Sequence, residues 1–207
     1  MEDGKIAHSP IVLLEKMGLT ITVLYILSGN NMVTYIMGRN QKVGGRSGIE
    51  DLYESVQGYR DHSQLFPWNY GAKKIAKTLI GKKKMLIGYS YGGSTVKFVC
   101  DQLRLLVPNE PIDLVVLIDA VWRKKDGKSS VGSLFKRKKI YLPENINKVY
   151  SWRQSIGKIK GHRIITSGET FHCKVTLAQS RDNHLSIDDN EEIHWAVRNL
   201  AWDFLKS

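Results

Sequence analysis

Lys84-Met85-Leu86-Ile87-Gly88-Tyr89-Ser90-Tyr91-Gly92-Gly93, followed by Ser94-Thr95-Val96-Lys97-Phe98-Val99-Cys100, decides the fold of this chain. The first six residues read as a short apolar strand, the next few as a tight turn, and the rest as the opening of a helix. Gly88-Tyr89-Ser90-Tyr91-Gly92 fills the pattern Gly-x-Ser-x-Gly. That spacing has a steric reason. A serine on a sharp strand-to-helix turn has a strained backbone, and side chains two positions to either side would collide. Glycine at both positions removes the collision, and Gly93 adds a small residue where helix and strand pack closely. Ser90 is then expected above the sheet, at the start of a helix whose dipole favours developing negative charge.

Working outward, Val96, Val99, Cys100, Leu103 and Leu106 keep helical spacing as far as Pro108. Ile112-Asp113-Leu114-Val115-Val116-Leu117-Ile118 then forms the most emphatic strand pattern in the chain and runs into Asp119. Before the turn, Ile21–Leu27 is a continuous apolar run of the kind a strand buried on both faces requires, and Met32–Met37 is a second. Residues 38–48 read as a loop and 49–65 as a short helix. Pro67-Trp68-Asn69-Tyr70-Gly71 is a break, and Ala72, Ile75, Ala76 and Leu79 mark the inner face of a helix that Gly81 ends. Further on, 143–150 suggests the start of a helix. Arg163–Thr166 and Cys173–Leu177, joined by Ser167-Gly168-Glu169-Thr170, suggest a hairpin. The chain ends on an amphipathic helix carrying Ile193, Ala196, Val197, Leu200, Ala201 and Phe204. Alternation of strands and helices argues an α/β fold with a mostly parallel sheet, in a single domain spanning 1–207.

A serine hydroxyl needs a base within hydrogen-bond reach, and the base needs an orienting carboxylate. In an open parallel sheet such groups collect beyond the carboxyl ends of the strands. Asp119, at the end of a strand expected beside the Ser90 strand, meets that rule. Asp182 rivals it by its closeness to His184, whereas helix capping accounts for Asp188 and Asp189. Among six histidines, only His184 occupies a loop after a strand and before the final helix. His8, His62, His162, His172 and His194 lie in polar segments, at strand starts or within the helix. For an oxyanion, the Tyr91 backbone N–H is one expected donor, and Ser28-Gly29-Asn30-Asn31 offers a second, with Asn30 ahead of Asn31.

Composition bounds the rest. The 207 residues carry a net charge of +11. Much of the excess lies between Val121 and Lys139, where Arg123, Lys124, Lys125, Lys128, Lys136, Arg137, Lys138 and Lys139 face a lone Asp126. The charge implies attraction to something anionic. Phe135 is the one aromatic residue inside that basic run, so base stacking, and with it specific nucleic-acid recognition, is not expected. Cys100 and Cys173 make no disulfide framework, and no Cys/His cluster has ligand spacing, so neither metal nor cofactor is expected. No apolar run approaches the roughly 20 residues of a membrane span. The polar Met1–Lys5 start lacks the order of a secretory signal, which gives a cytoplasmic expectation.

The Gly29-Asn30 loop after an early strand, the Gly88–Gly92 turn, Asp119 at a strand end and His184 before the closing helix together resemble the α/β-hydrolase superfamily over residues 20–204. An acid one strand after the turn is similar to the thioesterase-like branch and to some small lipases. The resemblance implies a serine esterase, lipase or thioesterase. Ser90 would be its nucleophile, His184 its base and Asp119 its acid, with the Tyr91 and Asn30 amides as oxyanion hole. It also implies a lid-like insertion over 123–160, although lipase lids are amphipathic and this one is basic. The expected substrate is a small or lipid-like acyl ester or thioester, with an anionic group accounting for the basic segment, and peripheral contact with an anionic surface is a further expectation. Two other readings remain. One is a catalytically inactive hydrolase-like module that binds membrane or nucleic acid through 123–139. The other is acyl transfer to an alcohol by the same triad.

Overall fold

The computed structural model describes residues 31–39, 41, 44, 48–56, 61–122, 139–154, 161–166 and 174–207, with backbone alone over 174–179. In chain order the elements are β1 (Asn31–Ile36), α1 (Gly48–Glu54), β2 (Ser63–Phe66), α2 (Ala72–Thr78), β3 (Lys83–Tyr89), α3 (Tyr91–Leu106) and β4 (Ile112–Ile118). They continue with β5 (Lys139–Leu142), β6 (Ile146–Gln154), β7 (Arg163–Thr166), β8 (Lys174–Ser180), a 3-10 turn (Ile187–Asp189) and α4 (Glu191–Lys206). Six strands form one sheet in the order β2-β1-β3-β4-β6-β8. Every pairing in it is parallel.

The apolar runs of β3 and β4 are continuous because helices cover both faces of the sheet. Side chains alternate along a strand, so Leu86, Val115 and Leu117 pack with Ile75 of α2, Leu79 just after it, and Val96, Val99 and Leu103 of α3. Their neighbours Met85, Ile87, Val116 and Ile118 face the other way, onto Ile193, Val197, Ala201 and Phe204 of α4 and Ile49 and Leu52 of α1. Truncating a fully buried residue such as Ile87 to Ala is worth about 2–5 kcal/mol. Asn190 starts α4, its side chain accepting the Ile193 N–H at 2.9 Å. Glu191 and Glu192 follow in the first turn and Lys206 sits in the last, as the helix dipole favours.

Several sequence expectations change. The apolar run Ile21–Leu27 lies outside the described residues. The 49–65 helix is short, and Ser63–Phe66 is an edge strand beside β1. Residues 146–154 are a strand rather than a helix: β6 lies between β4 and β8. The hairpin is not formed either. β7 pairs with β5 in a separate two-stranded parallel sheet, while β8 pairs with β6 in the main one. The lid-like insertion 123–160 is described only at 139–154, which supplies β5 and β6. Residues 123–138, with most of the basic run, lie outside the description. Among the described residues no helix is long and apolar enough to cross a membrane.

Candidate active site

Ser90 stands between β3 and α3 with φ 51° and ψ −120°, an angle pair that costs a non-glycine residue about 1–3 kcal/mol. The surrounding backbone enforces it. The Ser90 N–H donates to Ile118 O at 3.1 Å, and its carbonyl accepts the Gly93 and Val121 N–H groups at 3.1 and 2.8 Å. The flanking glycines are required by contact. A Cβ on Gly88 would lie 2.7 Å from Val96 Cγ2 and 2.8 Å from Gly92 C, and one on Gly92 would strike the Ile36 carbonyl. An N-cap serine ordinarily turns its hydroxyl onto its own helix. Ser90 makes no such bond. Its Oγ lies instead 2.9 Å from His184 Nε2.

His184 Nδ1 lies 2.5 Å from Asp119 Oδ2. The other Asp119 oxygen accepts the Gln154 N–H at 3.1 Å and the Gly161 N–H at 2.9 Å. The carboxylate is therefore held from three sides, and a Cβ at 161 would run into Oδ1. Asp119 also has a positive φ, 41°, with its own N–H on Trp152 O at 2.8 Å. All three side chains are buried, with Asp119 wholly inaccessible. The structure thus brings together Ser90, Asp119 and His184 as read from the sequence. Geometrically, a hydroxyl, an imidazole and a carboxylate in this order can move a proton off the hydroxyl while the carboxylate fixes the ring tautomer.

The rival acids do other things. Asp182 accepts from Ser180 Oγ at 2.5 Å and Asn190 Nδ2 at 2.6 Å. Asp188 and Asp189 do not cap α4, since Asn190 does. Asp189 accepts the Gly48 N–H at 2.9 Å, and Asp188 accepts from Gln41 Nε2. Of the other histidines, His62 meets Asn31 O at 3.2 Å, far from Ser90. His194 donates to Asp188 O, and His162 accepts the Trp122 N–H at 2.8 Å, pinning the chain as it leaves β4. His8 and His172 lie outside the described residues.

The oxyanion donors divide. Tyr91 opens α3 directly after Ser90, as expected. Asn30 lies outside the described residues. Its alternative, Asn31, pairs with Lys83 at the start of β3, about 20 Å from Ser90 by strand rise, and binds Phe204 O at 2.6 Å. Asn31 is therefore at the wrong end of a parallel sheet. The segment that does approach Ser90 is Gly38-Arg39, after β1: a Cβ on Gly38 would be 3.4 Å from Ser90 Cβ. The Gly38 N–H is taken by Gln41 Oε1 at 2.7 Å, and Arg39 is the next residue along that segment. The Arg39 guanidinium lies 5.9 Å from the Tyr91 ring centre, and Trp68 packs on the same ring at 5.6 Å. An approach made by backbone carries no side-chain signature, so the sequence offered no direct signal for the Gly38-Arg39 segment.

Tyr89 completes the setting. Its hydroxyl donates to His184 O, its ring stacks on the imidazole at 5.6 Å, and burial pushes its own ionisation far up. Burial, with Asp189 beside it, raises the Asp188 carboxyl to about 7. A cleft of about 1360 Å³ runs along the start of α4 between Trp152, Arg181 and Trp195. Its lining does not include Ser90. No cluster of His, Cys, Asp or Glu among the described residues is placed to hold a metal ion. Neither a protein-family model nor a curated protein matches this chain.

Proposed function

We propose that the protein is a serine hydrolase of α/β-hydrolase type that cleaves an acyl ester or thioester through an acyl-enzyme. The observation that carries the reading is the unbroken line Asp119–His184–Ser90, at 2.5 and 2.9 Å, on a serine held at positive φ. Supporting it is the chain order Ser…Asp…His along a parallel sheet, each residue following the carboxyl end of its strand, β3, β4 or β8. In the proposed cycle Ser90 Oγ attacks the acyl carbon as His184 takes its proton. The tetrahedral oxyanion rests on the Tyr91 and Arg39 N–H groups. His184 then returns the proton to the leaving alcohol or thiol, and water repeats the sequence to free the acid. The basic run 123–138 supports an anionic substrate or surface by charge alone, and a lid role for it belongs to the same proposal.

A fluorophosphonate probe tests the reading. Intact mass is expected to show a single adduct on the wild type and none on Ser90→Ala, with His184→Ala labelled far more slowly. A folded wild type that takes no adduct overturns the hydrolase reading and favours the inactive anion-binding module.

A further inference from the structure

Arg39 brings a positive charge to the edge of the site. The segment that carries it passes against the nucleophile: a Cβ on Gly38 would lie 3.4 Å from Ser90 Cβ and 2.6 Å from Tyr89 Cδ1. The turn is closed by the Gln41 N–H on Gly38 O at 3.3 Å and by the Gly38 N–H on Gln41 Oε1 at 2.7 Å, while Gln41 Nε2 donates to Asp188. The base of the Arg39 side chain is therefore fixed. Its far end is placed as well. The guanidinium carbon lies 5.9 Å from the centre of the Tyr91 ring, and Tyr91 follows Ser90 directly. That ring is held in its turn: it is buried, Trp68 packs on it at 5.6 Å, and the Trp68 carbonyl accepts the Thr95 hydroxyl of α3.

We propose that the Arg39 guanidinium is the group that recognises an anion on the substrate, so that the preferred substrate carries a carboxylate a few bonds from its scissile acyl carbon. The inference rests on the hydrolase reading and narrows its substrate class. Arg39 is exposed, and among the described residues no carboxylate pairs with it. Other cations of the fold are engaged: Lys84 with Glu110, Lys97 with Asp101 and Arg104 with Glu144. A guanidinium has five N–H donors in one plane, and two of them match the two oxygens of a carboxylate. Contact with the Tyr91 ring steadies the charge but takes up none of these donors. One guanidinium balances one charge, which favours a carboxylate over a phosphate dianion. The positive end of the α3 dipole, beginning at Tyr91, adds to the same field. The net charge of +11 draws an anionic substrate to the protein, and Arg39 gives its carboxylate a place to dock beside Ser90.

Paired fluorophosphonates test this. One probe ends in a carboxylate and the other in the methyl ester of that carboxylate, over a short series of spacers. In each, Ser90 Oγ bonds to phosphorus as fluoride leaves, and the hydroxyl proton passes to His184. The labelling rate therefore reads recognition without a known ester. Wild type should be labelled about ten- to a hundredfold faster by the carboxylate probe at its best spacer, the scale of a charge-assisted hydrogen-bonded pair. Arg39→Gln should bring that ratio close to one. The ratio is taken within one protein, so an effect of the substitution on the turn itself cancels. Lys77→Gln, on the exposed face of α2, removes the same charge and should keep the wild-type ratio. Equal rates for the two probes in wild type overturn the inference and leave the hydrolase reading intact. So does an Arg39→Gln ratio that matches wild type, or a ratio that falls as far in Lys77→Gln, which would assign the preference to net charge. A folded wild type labelled by neither probe overturns the hydrolase reading, and this inference with it.

Discussion

At the end of the sheet where the strands begin, Lys84 sends its buried ammonium to Glu110 at 2.8 Å, and its N–H donates to Asp113 at 2.9 Å. The Lys84 ammonium holds the Glu110 carboxyl below its usual range. Ile112 N–H finds Asn145 O at 2.7 Å, and Asn31 finds Phe204 O. At the end where the strands finish, buried polar groups are just as dense, but they run in a line toward Ser90 and two residues on it hold positive φ. The first arrangement closes the sheet. The second keeps backbone strain and leaves a hydroxyl facing an imidazole. Similar groups under similar burial thus do opposite things, and what separates them is whether the hydrogen bonds end on structural partners or on a group able to react.

Substitutions at the two ends should therefore separate activity from stability. The largest effect is expected at the finishing end: Ser90→Ala should lower ester hydrolysis about 10⁴- to 10⁶-fold, and Asp119→Asn about 10⁴-fold, with the fold retained. Steady-state kinetics beside circular dichroism checks both. Asp188→Asn should alter stability with pH. The folded protein keeps the Asp188 proton up to about pH 7 while the unfolded chain releases it near 4, so wild type loses stability as pH rises between these values. Asp188→Asn removes that loss. It should exceed wild type by up to about 4 kcal/mol at pH 8, and by little at pH 4, in urea unfolding at both. At the beginning end, Glu110→Ala strands the Lys84 ammonium and should cost about 2 kcal/mol, with kcat unchanged. Smallest is Ser90→Gly, inactive but expected to gain about 1 kcal/mol from relieved strain, read as a higher Tm. A Glu110→Ala enzyme that lost activity without losing stability would break the comparison.

The parts legible in the sequence were those whose signal is local. Continuous apolar runs gave β3 and β4, helical spacing gave α3 and α4, and the glycine pattern located Ser90. β6 was hidden because its sequence, Ile146-Asn147-Lys148-Val149-Tyr150-Ser151-Trp152-Arg153-Gln154, mixes polar residues into a strand whose flanks are less covered than those of β3. The mistaken hairpin came from adjacency in sequence. β7 and β8 find their partners in β5 and β6, and short strands carry nothing that names a distant partner. Two of the site's supports were invisible for a related reason. The Gly38-Arg39 segment approaches Ser90 through its backbone. Asp188 stands where helix capping already accounts for an acid, and its partner Gln41 is 147 positions away in sequence.

The Ser90 turn depends on glycine clearance and on backbone hydrogen bonds to β4 and α3, and its own side chain takes no part in holding it. The position is therefore a socket, indifferent to what small residue is plugged into it. A thiol installed there by Ser90→Cys would be presented to His184 in the same pose. It would form a thiolate–imidazolium pair open to alkylating reagents, so that the element at the reacting atom changes and the shape around it does not.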